Sequence, residues 1–295
     1  MILTTRITIG ICTYRRAQLA YTLASIAQVN LPLDTTLCIV VADNDDEPSA
    51  QVTVATAASE HGLDITYLHV PARNISLARN ACLDAASGEY FAFIDDDELA
   101  DPAWLTELLT TQRATSAEIV LGPVQALYLP TAPRWLRAGN FHSTYPVATK
   151  GGAISTGYCG NVLMKLGTPA LKELHFRLDC GVTGGEDTDF FHRAHAAGAA
   201  IAYAKKAFVY EPVAPWRATL HWLLQRHYRY GQTHAALIIE ANKPHAWNIL
   251  LASTKMIFCY AMVILCCLMP LVRRRWLLRG TLHLAVMRTL TRTRY

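Results

Sequence analysis

The stretch Tyr90-Phe-Ala-Phe-Ile-Asp-Asp-Asp-Glu98 constrains this chain most. The apolar run from Tyr90 to Ile94 is of strand type, and it stops abruptly in Asp95, Asp96 and Asp97. Like charges set side by side at the end of a buried strand are costly unless a cation or a phosphate–metal complex compensates them. The competing reading is an acidic loop that caps the next helix. Asp101-Pro102 already supplies that start, with Asp as N-cap and Pro at the first helical position. The three aspartates are thereby left without a structural task, and they become candidate ligands for a hard divalent cation.

Upstream, strand-like and helix-like runs alternate. Ile7, Ile9 and Ile11 alternate along Arg6–Thr13, and a helical run follows Arg16 as far as Ala27. Leu37 to Asp43 is continuously apolar until it meets Asp43-Asn44-Asp45-Asp46. A third strand is expected over Ile65–Val70, and a helix over Ile75–Ala86 carrying Arg79 and Asn80. This order predicts an α/β chain with a doubly wound, mostly parallel, Rossmann-like sheet. Such sheets bind ligands outside the carboxyl ends of their strands. Thr13 and Arg16, Asp43 and Asn44, Arg73, and Asp95 to Asp97 would all converge on that rim. No GxGxxG follows the first strand and no GxxxxGK[ST] occurs, so the dinucleotide and P-loop readings lack support. A carboxylate cluster without a glycine cradle fits a nucleoside diphosphate held through a divalent cation.

The second half is less regular. Glu118–Leu129 reads as one strand crossing Gly122-Pro123, and Ala200–Val213 as a final strand. The loop from Pro130 to Pro146 carries Trp135, Phe141 and Tyr145, which either cover a sugar face or fold over their own hydrophobes. A short strand is expected over Asn161–Lys165. Gly184-Gly185 leads into Glu186 and Asp187 and then a helix running to Gly198. Acids at a helix N-terminus are favoured in their charged form by the macrodipole; they serve either as caps or as a general base. Arg217–Glu240 reads as a helix, or a helix pair broken near Gly231. Trp222, Arg226 and Arg229 share one face of it, as a pyrophosphate clamp or as a solvated basic face.

The small positive net charge of +4 is local to the C-terminus, where Arg273-Arg274-Arg275, Arg279, Arg288, Arg292 and Arg294 follow an apolar run. That pattern points to an anionic lipid surface before nucleic acid. The eight cysteines form no CxxC pair, and Cys12, Cys38 and Cys82 read as small core residues in a reducing compartment. The N-terminal residues lack the apolar core of a signal peptide, so the bulk of the chain is expected in the cytoplasm. Met256–Val272 is at the short end for a membrane span. As a single span it would place the arginines inside and the remaining chain outside. A re-entrant or interfacial anchor with both ends cytoplasmic, and Trp276–Leu290 along the surface, avoids that conflict. The competing reading is a buried C-terminal helix pair.

Taken together, Thr13-Tyr14-Arg15-Arg16, Val41-Ala-Asp43-Asn44, Ala78-Arg79-Asn80, Asp95-Asp-Asp97, Gly185-Glu186-Asp187 and Gln225-Arg-His-Tyr-Arg229-Tyr230-Gly231 resemble the ordered motifs of family 2 glycosyltransferases of the GT-A fold. Within that family the chain resembles bacterial glucosyltransferases that build succinoglycan-type exopolysaccharide. The resemblance implies an inverting transferase that uses a UDP-sugar with Mg2+ or Mn2+. It implies that Thr13, Tyr14 and Arg16 line the nucleotide pocket, that Asp43 (with Asn44 beside it) meets the uracil, and that Arg79 is nearby. It further implies that Asp95 and Asp96 face ribose and phosphates, that Asp97 (with Asp95) holds the metal, and that Asp187 (with Glu186) supplies the base. Arg226 and Arg229 stand where the family often has Gln-x-x-Arg-Trp; Tyr230 replaces the Trp, which weakens an expectation of processive polymerisation. Glu211 stands where many relatives carry a His near the metal.

The expected organisation is a catalytic domain over 1–240, with a nucleotide-sugar half (1–115) and an acceptor half (116–240), and a hydrophobic, basic membrane-association segment over 241–295. The expected partners are a UDP-sugar, a saccharide acceptor on a lipid carrier, the cytoplasmic face of a bacterial inner membrane, and other enzymes of a polysaccharide assembly pathway; nucleic acid is not expected. Two alternatives stay open on the residues: a metal-dependent nucleotidyltransferase, and a non-catalytic, membrane-bound sugar-nucleotide-binding protein.

Overall fold

The computed structural model of the chain describes residues 4–149 and 151–292. Backbone contacts divide it into two compact units: one runs to Leu127 and resumes over Ser143–Pro212, and the other comprises Tyr128–His142 and Val213 onward.

The first unit begins with β1 (Thr5–Thr13), α1 (Leu19–Ile26), β2 (Thr35–Asp43), α2 (Gln51–His61), β3 (Ile65–His69), α3 (Ile75–Asp84) and β4 (Tyr90–Ile94). The four strands are parallel in the order β3-β2-β1-β4, as apolar runs joined by helical crossovers require. Alternation along β1 sends Ile7, Ile9 and Ile11 to one sheet face, with Leu19 and Leu23 of α1. On the other face Phe91 and Phe93 of β4 pack with Ala78 and Cys82 of α3. Both faces are thus covered, and polar groups are left to the strand ends.

After β4 come β5 (Leu99–Ala100), α4 (Trp104–Thr115), β6 (Ile119–Leu121) and β7 (Val124–Tyr128). Helix α4 starts at Trp104; the Asp101 carboxylate accepts from the Ala103 N–H and closes the turn before it. The strand expected over Glu118–Leu129 is two strands in two sheets. Pro123 lacks a ladder donor, and Gly122 sits against the Asn161 carboxamide, 2.6 Å from Oδ1 for an added Cβ, where only a bare backbone fits. The next elements are α5 (Arg134–Gly139), β8 (Asn161–Lys165), α6 (Cys180–Thr183), α7 (Glu186–Ala196), β9 (Ile201–Tyr203) and β10 (Val209–Val213). Strand β8 runs antiparallel between β4 and β6, which completes the order β3-β2-β1-β4-β8-β6-β9. The final strand expected over Ala200–Val213 is likewise split: β9 joins this sheet and β10 the small sheet β5-β10-β7.

The second unit holds α5, α8 (Leu220–Glu240), α9 (His245–Leu265) and α10 (Pro270–Arg292). Helix α8 is continuous, so Gly231 is no break. A Cβ there would run into the Leu282 carbonyl oxygen and come 2.6 Å from the Ala285 Cβ of α10. The apolar run Met256–Val272 is not one helix: the turn at 266–269 divides it between α9 and α10, which begins at Pro270. Trp135 of the aromatic loop is occupied inside this unit, against Phe141 (5.6 Å) and under the Arg274 guanidinium (4.4 Å). All eight cysteines carry free thiols.

Candidate functional site

Strand β1 has β2 on one side and β4 on the other, with connections leaving in opposite directions, so the carboxyl ends of β1 and β4 flank a topological switch point. There the buried Thr13 hydroxyl, at the end of β1, donates to Asp96 just past β4 at 2.7 Å. Arg16 reaches the same acids, 3.2 Å from Asp97 and 3.7 Å from Asp96. Tyr14 is partly exposed, with the Arg15 guanidinium 5.3 Å over its ring. Thr13, Tyr14, Arg16, Asp96 and Asp97, far apart in sequence, therefore share one rim.

Beside them lies a second pair of acids. The Glu98 carboxylate is buried and accepts the Asp95 N–H at 3.0 Å. A Cβ on Gly160 would come 2.6 Å from Glu98 and 3.2 Å from the Asp95 carboxylate, so the bare glycine keeps this acid pocket open. Half of the Asp95 side chain remains accessible, yet its carboxyl sits deep enough in the rim to titrate upward. Desolvation pushes it up to about 7; the Arg79 charge opposes the rise, and Asp97, Asp96 and Glu211 add to it. Asp96 is pushed to about 6 by burial, against the pull of the Thr13 hydroxyl. Burial, with Asp95 next in importance, raises Glu98 well above the carboxylate range. Glu98 and Glu211 are members of this cluster that sequence reasoning gave no firm role. The signal for Glu98 was its place at the end of the acidic run.

The end of β2 turns its polar groups inward. Asp43 is fully buried and accepts the N–H groups of Asp45 (3.1 Å) and Ala50 (2.7 Å) and the Tyr67 hydroxyl (2.8 Å). The buried Asn44 accepts the Asn74 N–H at 3.1 Å. These residues shape the rim from beneath. At this edge the exposed Arg15 meets the buried Asp45 at 2.7 Å, which holds that carboxyl at about 2, and Arg73 pairs with Asp46 at the surface. Arg15, Arg16, Asp45 and Ser49 line a cavity of about 340 Å³ at this edge.

Helix α3 fastens the segment that carries the second acidic motif. Asn74 caps α3 and donates to the Leu178 carbonyl at 2.8 Å. Asn80 clamps the backbone of Phe176, donating at 2.9 Å and accepting at 2.8 Å. The buried Arg79 guanidinium bonds Glu186 at 2.5 Å, lies 4.0 Å from Asp95, and stacks 5.4 Å over Phe176. Arg79 thus joins the two acidic motifs. Gly184 and Gly185, both at positive φ, turn the chain into α7. In the first turn of α7, the Asp187 Oδ1 accepts the Thr188 N–H at 2.6 Å and the Thr188 hydroxyl at 3.4 Å. The helix N-terminus alone would favour the charged form, but desolvation outweighs it. The Asp187 carboxyl is raised by burial, with Arg79 opposing and Glu186 reinforcing.

Arg226 and Arg229 lie on α8 in the second unit. Arg226 stacks between Trp222 (5.2 Å) and Tyr230 (5.5 Å) and donates to the His142 carbonyl at 3.3 Å; Arg229 is exposed. Burial lowers His142 to about 4, so its ring is neutral at pH 7. A carbonyl can only accept, so Nε2 donates to Arg217 O at 3.0 Å, and Nδ1 accepts from the Tyr128 hydroxyl at 2.9 Å. The ring stacks on Trp222 at 5.1 Å.

Hard oxygen donors, an excess of buried negative charge and a glycine-lined opening between Asp95 and Glu98 fit a divalent cation in their chemistry. Among the described residues no three His, Cys, Asp or Glu side chains close around one point, so such an ion would share its coordination with a ligand's oxygens.

The sequence profile of Glycosyl transferase family 2 matches residues 8–166. The chain is 50% identical over 287 residues to the succinoglycan biosynthesis protein ExoM of Rhizobium meliloti (strain 1021), covering 96% of this chain and 92% of that one. Among solved structures, the fold is similar to the mannosyltransferase PcManGT of Pyrobaculum calidifontis in complex with GDP-Man and Mn2+. The TM-score is 0.66 at 19% identity, over 97% of this chain and 87% of that one. It is also similar to residues 1–349 of S. aureus TarS in complex with UDP-GlcNAc, with a TM-score of 0.57 at 16% identity, over 98% and 89% of the two chains.

Proposed function

The chain belongs to glycosyl transferase family 2, and from that premise we propose that it is an inverting transferase moving glucose or a related hexose from a UDP-sugar to a lipid-linked saccharide. The setting is the assembly of an exopolysaccharide or another surface glycan, at the cytoplasmic face of a bacterial inner membrane and beside other enzymes of that assembly. Family membership sets aside the nucleotidyltransferase and binding-only alternatives. The succinoglycan relative supports the pathway, the UDP-GlcNAc complex of TarS supports the donor class, and the Mn2+ complex of PcManGT supports the cation.

One observation carries the reading: Arg79 ties the acid cluster at the end of β4 to the Glu186-Asp187 turn of α7. A donor diphosphate held by the first would place its sugar beside the second. Thr13 and Arg16 orient Asp96 and Asp97 toward ribose and phosphates. A divalent cation bound with Asp97 and Asp95 would offset the charge of the departing diphosphate. Thr188 holds Asp187 Oδ1, which leaves Oδ2 to take the proton from the acceptor hydroxyl. Burial makes that carboxylate a stronger base than a free aspartate. The oxygen so released attacks the anomeric carbon opposite the leaving group, and one displacement inverts the centre. Glu186, paired to Arg79, positions the turn.

Calorimetric titration with UDP, with and without Mn2+, on the intact chain and on Asp97→Ala tests the proposal. Metal-dependent UDP binding that the variant loses is the expected result. Binding of GDP or dTDP in place of UDP would change the donor, and binding of no nucleoside diphosphate would overturn the proposal.

A further inference from the structure

Helix α9 is long and apolar enough to cross a membrane, with a mean hydropathy of 1.8, yet only 11% of that window is buried. Its exposed apolar residues are not scattered. Trp247, Leu250, Ile257, Phe258, Ile264 and Leu265 recur at helical spacing, so they form one stripe along the whole helix, each more than half exposed. The opposite face is occupied by α10. Ala252 packs in one cluster with Val286 and Leu290, and Gly280 lets Cys259 and Tyr260 approach to within about 3.2–3.4 Å of where its Cβ would be.

This packing argues against a crossing. Helix α9 is about 31 Å long, close to the hydrocarbon thickness. A spanning α9 would carry α10 into the hydrocarbon beside it, and with it the exposed Arg279. The charge pattern indicates what lies against the stripe instead. After Glu240 the chain has no Asp or Glu, but two lysines and seven arginines. Phe258 of the stripe meets Trp276 of α10 at 5.5 Å, and Arg279 lies 5.5 Å over the same indole. An apolar stripe bordered by an indole and then by arginines has the order of groups met on passing from acyl chains to phosphates.

We infer that the α9 stripe is this chain's contact with an anionic lipid bilayer, with α9 lying in the plane of the leaflet at the acyl boundary and the exposed Arg275 and Arg279 of α10 on the lipid phosphates. The inference rests on the membrane location proposed above and adds the surface and its orientation; the nucleotide site is independent of it. The contact begins at Trp247, two turns before the apolar run that marks it in sequence.

The test is co-sedimentation of the full chain with phosphatidylcholine vesicles, with and without phosphatidylglycerol. The wild type is expected to bind the anionic vesicles and to be released by alkaline carbonate. Ile257→Ser combined with Ile264→Ser is expected to lose about tenfold or more in partitioning. Arg275→Gln and Arg279→Gln are each expected to lose about fivefold, on anionic vesicles only. Helicity and UDP binding, measured on every variant, should be unchanged. Unaltered vesicle binding by the double serine variant overturns the inference while the membrane location stands. Absence of wild-type binding removes the location as well. Retention of the wild type after carbonate would overturn the in-plane contact in favour of a re-entrant or spanning insertion. Conversion of a dimer to a monomer by the serine variant, with vesicle binding intact, would make the stripe a self-association face.

Discussion

Arg79 lies 2.5 Å from Glu186, a residue 107 positions away in sequence, and both side chains are buried. This pair sets where Asp187 stands relative to Asp95. Removing one partner leaves a buried charge unpaired, which costs roughly 3–5 kcal/mol. We expect Arg79→Met to lose about that much in chemical denaturation. Arg79→Met with Glu186→Leu should recover most of the loss, because neither charge then remains. Equal instability of the double variant would show that the pair does not act as a unit.

Asp187→Asn keeps the contacts to Thr188 and the size of the side chain while removing the base. General-base removal typically costs 10²–10⁴-fold in rate. The expected result is a fall in kcat of about that size with UDP affinity unchanged. A fall in UDP affinity with kcat preserved would move Asp187 from proton transfer to donor binding.

The crowded acids predict a pH dependence of stability. A carboxyl whose folded value is raised contributes stability that is full below its ordinary value of 3.8 and lost as pH rises through the folded value. For Asp96 and Asp95 those values are about 6 and about 7. Asp45, held at about 2 by Arg15, titrates below this window. The Tm of the metal-free protein should therefore fall between about pH 4 and about pH 7 and level off above that. Asp95→Asn should flatten that fall. Mn2+ should raise Tm more at the alkaline end, where protons no longer compete for the same oxygens. A flat profile across the window would contradict the crowding.

Gly231→Ala separates local propensity from tertiary contact. In an isolated helix the change is favourable by about 1 kcal/mol. In α8 the new methyl would meet the Leu282 carbonyl and Ala285 of α10. Overpacking of this kind costs about 1–3 kcal/mol, so net destabilisation by thermal melting is expected. Net stabilisation would show that α8 and α10 are not so closely apposed.

The sequence by itself determined what is local. The apolar runs of β1, β2 and β4, their abrupt polar ends and the intervening helical segments predicted a mostly parallel α/β sheet with acids on one rim. Strand and helix periodicities are written over a few residues, and an apolar run that ends in aspartates does so in any tertiary context. Tertiary structure decided the rest. Gly122-Pro123 divides an apparent strand between two sheets because of where the Asn161 side chain sits, and Ala200–Val213 divides for want of one continuous partner. Asp43, which its place at a strand end assigns to the rim, is wholly buried because Tyr67 and the start of α2 satisfy it. Arg79 meets Glu186 only because α3 and α7 lie on the same face of the sheet, a proximity no local pattern records. Periodicity states which face of an element is apolar; only packing settles which polar group from elsewhere meets its end.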